Sequence, residues 1–292
     1  MNEKRESEQA SELIAQGPAE LLAAVLDLDG EVPLDDGAPL PPLWHWVYLL
    51  PTPPQRVLGP DGHPTKGFPT PPGLGMRRMF AGGRVTTHAP LRVGAPANRV
   101  TTASEPVHKE GRSGPLAFVT VRMEIRQEDQ LVITDERDLV YRAPGKDQPK
   151  DSGKGGSPSG ATAESADRDP RLDAEPRLTL EVDETVLFRF SSATVNAHRI
   201  HYDREWARHE GYDDLVVHGP LQALMMGELM RRNGVDLVGA TFGYRLVAPM
   251  LGPQQLTVAA GEDGLETGAV AGGKAGRVTA VATRTNSTTN NH

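Results

Sequence analysis

The run Ser191–Arg232, SSATVNAHRIHYDREWARHEGYDDLVVHGPLQALMMGELMRR, decides how the rest of the chain is read. Its last third is an apolar helix: Leu221, Ala223, Leu224, Met225, Met226, Leu229 and Met230 cover well over half the helical circumference. A helix apolar nearly all round is a buried one, so other elements must wrap it. Gly227 sits mid-helix at a cost of about 1 kcal/mol relative to Ala, which predicts close approach by a neighbour. Gly234 supplies the stop. Ahead of the helix, the strand-like Leu215-Val216-Val217 runs into His218-Gly219-Pro220. Pro at the first helical turn sacrifices no hydrogen bond. The free N–H groups and positive dipole end of such a helix start suit an oxyanion. Further upstream, Asn196 and His201 stand five residues apart across a turn. Asp203 reads as the cap of a short helix, REWARHE, with Glu205 in its first turn and Arg208 and His209 near its end.

Strand-like runs follow this stretch at 240–248, 254–262, 265–273 and 276–284, and residues 178–190 read as a strand leading into it. Residues 144–176 are dominated by Gly, Ser, Pro, Asp and Lys, with almost nothing apolar to bury, and read as a disordered linker. The first half follows a similar order. Residues 7–28 read as helical, and 43–50 (LWHWVYLL) as a short buried helix. Residues 51–83 form a Gly/Pro-rich loop of a length that is often functional, before strands at 84–94, 97–108, 115–127 and 131–142. A helix followed by antiparallel strands occurs twice, which predicts an α+β chain of two units, 1–143 and 177–292.

Composition narrows the function. The 292 residues carry a net charge of −8, so no general nucleic-acid surface is expected. There is no cysteine, which removes disulfides, thiolate nucleophiles and cysteine-ligated zinc. The N-terminal MNEKRESEQASELIAQ has no apolar core, and no run approaches the roughly 18 apolar residues of a membrane span. A cytoplasmic protein, without membrane contact, is the expectation. No P-loop, dinucleotide fingerprint or G-x-S-x-G elbow appears.

The combination Asn196-Ala197-His198-Arg199-Ile200-His201-Tyr202-Asp203, short helix, Val216-Val217-His218-Gly219-Pro220 resembles the MaoC-like enoyl-thioester hydratases. Their loop usually reads D-x-N-P-x-H-x-D. Here Asn196 replaces the first carboxylate, and His198-Arg199 replaces Asn-Pro. This variant is similar to the fatty-acid-synthase-type dehydratase branch, which includes mesaconyl-C4-CoA hydratases and mitochondrial 3-hydroxyacyl-thioester dehydratases. Pro41-Pro42-Leu43-Trp44-His45-Trp46 and Gly111-Arg112-Ser113-Gly114-Pro115-Leu116 are similar to that branch's motif-less first unit. The resemblance implies a double hot-dog: two units, each a helix wrapped by a curved antiparallel sheet, the second catalytic.

The implied activity is a hydro-lyase that adds water to a 2-enoyl thioester or removes it from a 3-hydroxyacyl thioester. A small branched acyl-CoA such as mesaconyl-C4-CoA is the expected substrate. A 3-hydroxyacyl-ACP dehydratase and a non-catalytic acyl-thioester-binding protein are the alternatives. His201 is the candidate proton-transfer group. Asn196, which cannot ionise, is assigned to positioning water; the other reading makes it a turn-shaping Asx residue. Gly219 N–H is the candidate oxyanion donor. His198, Arg199, His218, Arg78 and Trp44 are the candidate substrate contacts, the arginines for CoA phosphates or a free carboxylate on the acyl chain. His218 also reads as a structural hydrogen-bonder, and Trp44, Trp46 and Tyr48 as a core plug. No third ligand stands at firm metal-binding spacing among these histidines, and neither metal nor cofactor is expected. A homodimer is compatible with the family.

Overall fold

The computed structural model describes residues 7–28, 30–65, 77–111, 114–142 and 169–287. The first half contains β1 (Ser7–Leu13), α1 (Gln16–Val25), β2 (Arg77–Thr87), β3 (Pro96–Ala103), β4 (Val107–Gly111), β5 (Gly114–Gln127) and β6 (Gln130–Arg142). The second contains β7 (Arg177–Val182), α2 (Glu184–Ala193), α3 (Arg204–His209), β8 (Leu215–Val216) and α4 (Gly219–Arg232). It ends with β9 (Ala240–Leu246), β10 (Leu251–Gly252), β11 (Gln254–Ala260), β12 (Gly268–Gly273) and β13 (Val278–Asn286).

One antiparallel sheet runs β1-β3-β5-β6-β2-β9-β13-β12-β11-β7, with β4 paired beside β5. Read outward from the β2–β9 pair, the halves match strand for strand: β6 with β13, β5 with β12, β3 with β11, β1 with β7. This is the two-unit, double hot-dog arrangement. In the second half α4 fills the hollow, packing on β7, β11, β12 and β13, with Leu221 to Met230 all buried. In the first half the hollow receives α1 and a 3-10 turn at Trp44–Val47, whose four residues are buried. A single apolar core runs through both halves. Leu43 reaches across to α4: a Cβ on Gly227 would lie 2.7 Å from its Cδ1, which is the close approach that glycine signals.

Four expectations change. The loop expected over 51–83 ends earlier, because β2 already starts at Arg77 and runs to Thr87 in place of a strand at 84–94. Residues 7–28 are not one helix: Ser7–Leu13 alternate outward and inward as an edge strand paired along its length with β3, and the helix starts only at Gln16. Residues 178–190 are not one strand, because Asp183 accepts a hydrogen bond from Val186 N–H at 2.8 Å and caps α2. Of the expected linker, 144–168 lie outside the described residues. By Asp169 the chain is back in the fold, with a 3-10 turn at Pro170–Asp173 and Leu172 buried against Ala259 and Val270. No helix among the described residues is long and apolar enough to cross a membrane.

The shared core and the central ladder should hold the halves together without a covalent link. A protease site inserted between residues 144 and 168 should, once cut, leave two fragments that co-elute and melt in one transition. Separation of the fragments in native buffer would refute two mutually dependent units.

Candidate active site

The candidate loop, residues 194–203, hangs between the end of α2 and the start of α3, and its shape is set by short-range hydrogen bonds. Asn196 N–H donates to Ser191 O at 2.8 Å, and Asn196 Oδ1 accepts from His198 N–H at 3.1 Å. That is an Asx turn, the alternative expected for this residue. The amide oxygen assigned to water is thus engaged in holding the backbone. Asp203 accepts from Trp206 N–H at 3.0 Å and starts α3, as its position in the sequence indicates.

His201 is buried, and its orientation is fixed. Nδ1 lies 2.6 Å from Val216 O, so Nδ1–H donates and Nε2 carries the lone pair. The carbonyl itself is held by the β8–β10 pair, with Val217 N–H on Met250 O at 2.8 Å. Among the described residues no protein partner is found for Nε2, whereas His218 Nδ1 is buried and unpaired. His218 lies flat behind it, ring centroids 3.6 Å apart at 18°, and its Nε2 meets Ser191 Oγ at 2.9 Å. Burial first, then the neighbouring histidines, drives both rings toward the neutral form; the His201 pKa falls to about 3 and that of His218 lies well below the ordinary value.

His218 is also the residue before α4, whose first residue is Gly219. A Cβ at Gly219 would sit 2.2 Å from Leu246 Cδ1, the end of a flexible side chain on β9, so the glycine lets this helix start lie close to that strand. His201 and the N-terminus of α4 are therefore joined by a stacked imidazole pair.

The first half contributes residues that sequence reasoning missed. The turn Pro60-Asp61-Gly62-His63 docks on the catalytic loop: Arg199 N–H donates to Asp61 O at 2.9 Å, and its guanidinium to Pro60 O at 3.0 Å. A Cβ on Gly62 would collide with Ala197 O at 1.8 Å. His63 pairs with Asp61 (3.1 Å) and packs on His198, ring centroids 4.1 Å apart. His198 in turn faces Glu210 at 3.2 Å and stands edge-on to His201 at 5.6 Å. Asp61, His63 and His198 bring metal-ligand atoms within 4.8 Å of one another. Hydrogen bonds tie His63 Nδ1 to Asp61 and His198 Nε2 to Glu210. The only advance signal was the turn chemistry of D-G-H inside a long loop.

The other candidates divide. Arg199 is bound to Asp203 at 3.0 and 2.5 Å and lies over Trp206 at 4.2 Å, which makes it a clamp on the loop. Trp44 is fully buried and donates to Glu228 Oε1 at 2.9 Å, the core reading. Arg78 sits opposite Tyr141 on the concave side of the first sheet, bonded to it and within electrostatic range of Asp61.

The buried neutral histidines set the acid behaviour. His45, His63, His201 and His218 all have lowered pKa values, chiefly through burial; that of His63 falls to about 4. Below the unfolded value near 6.5 the unfolded chain binds protons that the native one refuses, so stability falls as pH falls. Asp61, held at about 2 by its bonds to His63 despite burial, adds a loss of the same sign below its ordinary value. Melting temperature should therefore decline steadily from pH 7 to pH 4.5; a flat profile by circular dichroism would contradict the neutral stack.

Residues 43–252 match the family described as hydroxyacyl-thioester dehydratase type 2. The mesaconyl-C(4)-CoA hydratase of Chloroflexus aurantiacus is 46% identical over 246 residues, 84% of this chain and 82% of that one. Among solved structures, HtdX of Mycobacterium tuberculosis superposes with a TM-score of 0.65 at 13% identity, over 97% of this chain and all of its own. A second M. tuberculosis protein, described as a double hotdog fold, gives 0.53 at 16% identity over 97% of both chains. The likeness to these two is one of fold. The chain belongs to the type 2 hydroxyacyl-thioester dehydratases, lyases of the hydratase–dehydratase kind with a MaoC-like double hot-dog fold.

Proposed function

We propose that this protein is a reversible hydratase of mesaconyl-C4-CoA, with His201 as its proton-transfer residue and Gly219 N–H as its oxyanion donor. The substrate rests on the 46% identity to the Chloroflexus aurantiacus enzyme. The observation that carries the mechanism is the fixed tautomer of His201, with Nδ1 committed to Val216 O at 2.6 Å and Nε2 left open. In hydration, Nε2 takes a proton from water as the water oxygen bonds to the carbon β to the thioester. The double-bond electrons move toward the thioester carbonyl, whose oxygen becomes an enolate at the N-terminus of α4. Gly219 N–H donates to that oxygen, where the helix leaves its first N–H groups unpaired. The enolate then collapses, the α carbon takes the proton from His201, and water has been added with no net charge change. Dehydration is the reverse.

In this scheme His198 and the Asp61–His63 pair position the loop, and Asn196 shapes it. Arg78, at the start of β2 and near Asp61, is assigned to the CoA arm. An acyl carrier protein in place of CoA would use the same chemistry. Turnover of mesaconyl-C4-CoA and crotonyl-CoA, against crotonyl-pantetheine on carrier protein, separates these substrates; no turnover of any would leave a binding protein.

Two variants test the roles. His201→Ala should lower kcat by about 10²–10⁴-fold with little change in KM, since the ring acts on water rather than on the CoA handle. Gly219→Ala should fold, because the clashing Leu246 atom is the end of a flexible side chain, but should lose about 10-fold or more in kcat as the helix start shifts. Wild-type turnover in a folded His201→Ala protein would place the reaction elsewhere.

A further inference from the structure

On the concave face of the first half lies a buried polar cluster that the hydration chemistry does not use. Asp135 Oδ2 accepts from four N–H groups: Trp46 Nε1 at 2.9 Å, Arg137 Nε at 3.1 Å, Arg137 Nη2 at 2.8 Å and His45 Nε2 at 3.2 Å. These bonds use one edge of the Arg137 guanidinium and leave Nη1 free of any protein partner among the described residues. Although protein surrounds it deeply, the Arg137 side chain keeps 36% of its surface open, whereas that of Asp135 keeps 1%. A clamped cation with one open edge is a receptor for a planar anion.

The strand register places Arg137 on the same face of the sheet as Tyr244 and Leu246. In the strand register Gly83 stands opposite both Arg137 and Tyr244, so the two side chains flank a position that has none. The Tyr244 phenol leans over it: a Cβ on Gly83 would be 2.9 Å from the Tyr244 hydroxyl. That hydroxyl is buried without a partner among the described residues, a costly arrangement unless something binds there. Two residues along β9 on the same face, about 7 Å by strand rise, is Leu246, the side chain that touches the Gly219 position. Arg78 lies on this face too, within electrostatic range of both Arg137 and Asp61, which ties the cleft to the loop bearing His63.

We propose that Arg137, assisted by the Tyr244 hydroxyl, forms an acyl-carboxylate subsite that selects dicarboxylic acyl thioesters. The inference rests on the proposed reaction, because it takes the reacting carbons to lie between Gly219 and His201. In mesaconyl-C4-CoA the free carboxylate is attached to the carbon that receives the hydroxyl, only two carbons from the thioester carbonyl. Tyr244 stands two residues along β9 from Leu246, and Arg137 lies across Gly83 from Tyr244, so the pair sits on the face that holds the oxyanion donor. The depth of Arg137, beside Trp46 at 5.8 Å and below the strand ends, suits the acyl group rather than the bulky phosphates of CoA.

Succinyl-CoA and butyryl-CoA test this directly. Neither has a double bond, so neither is hydrated, and they differ in a carboxylate or a methyl on the same β carbon. By calorimetry the wild-type protein should bind succinyl-CoA at least 10-fold more tightly. Arg137→Lys keeps a charge beside Asp135 but loses the planar fork, and should cut the preference about 10-fold. Tyr244→Phe removes a hydroxyl that has no partner, so it should fold as well as wild type and reduce the preference a few-fold. No wild-type preference, or one that survives both variants, overturns the subsite. Equal weakening of both ligands in Arg137→Lys also overturns it, since that is the mark of a CoA-phosphate contact. If the preference follows Arg137 but mesaconyl-C4-CoA is not hydrated, the subsite stands and the proposed reaction fails.

Discussion

Six residue pairs between β2 and β9, from Gly82–Arg245 to Thr87–Ala240, join two half-sheets into one. The rest of the structure depends on this seam. It fixes which concave surface of the first half faces which loop of the second. It also explains two glycines side by side on β2. A Cβ at Gly82 would strike Tyr244 O at 2.2 Å, and one at Gly83 would strike Glu136 O at the same distance. A larger residue at Gly82 would push the half-sheets apart and move Tyr244 and Leu246 away from α4, while one at Gly83 would press β2 away from β6. The seam thus controls the placement of side chains far from it in sequence, through backbone contact alone.

On the second half, local bonding does the corresponding work. The imidazoles of His201 and His218 lie parallel at 3.6 Å, a distance two cations would not tolerate in a buried place. Each ring is fixed by a partner outside the stack, Val216 O for one and Ser191 Oγ for the other. Ser191 comes from the end of α2, Val216 from β8, and His218 from the start of α4, so three elements converge on the pair. Asn196 fits this picture as a loop-former. An ionised carboxylate there, in place of an amide accepting from His198 N–H, would favour protonation of the nearby histidines.

How much of this was legible in the sequence follows from the range of each interaction. The helix α4, its glycine start and its buried face were readable because helical periodicity and capping are local, and Asp203 and Gly227 were readable for the same reason. β1 was missed because Leu13, Ile14, Leu21 and Leu22 mimic helical spacing, while its true partner, β3, lies about ninety residues away. α2 was missed because LTLEVDETVLFRF is apolar on both sides of Asp183, and only the cap divides it. Asp61 and His63 sit in a loop without periodicity, and their role depends on docking against residues 196–199. Arg137 and Tyr244 become neighbours only through the seam, which no local pattern encodes. The core reading of Trp44, in turn, needed its partner Glu228 on another element.

One difficulty follows from the burial of His201. A general base works best with a pKa near the working pH, yet in the free protein His201, the proposed base, lies at about 3. The causes are the loss of water around the ring and the repulsion of His198 and His63. Both can be offset by an anion in the same cleft, because a negative charge several ångströms away in a medium of low polarity favours the imidazolium. In the proposed reaction such an anion arises at the moment it is required: the enolate would grow at the N-terminus of α4 as the proton reaches Nε2. A substrate carboxylate held at Arg137 would add its field before the reaction starts. On the proposed mechanism the proton affinity of His201 would rise with substrate binding and peak in the transition state, where stabilisation accelerates the reaction most. The same burial that weakens the base in the empty protein keeps it neutral, and so ready to accept a proton, across the whole physiological pH range.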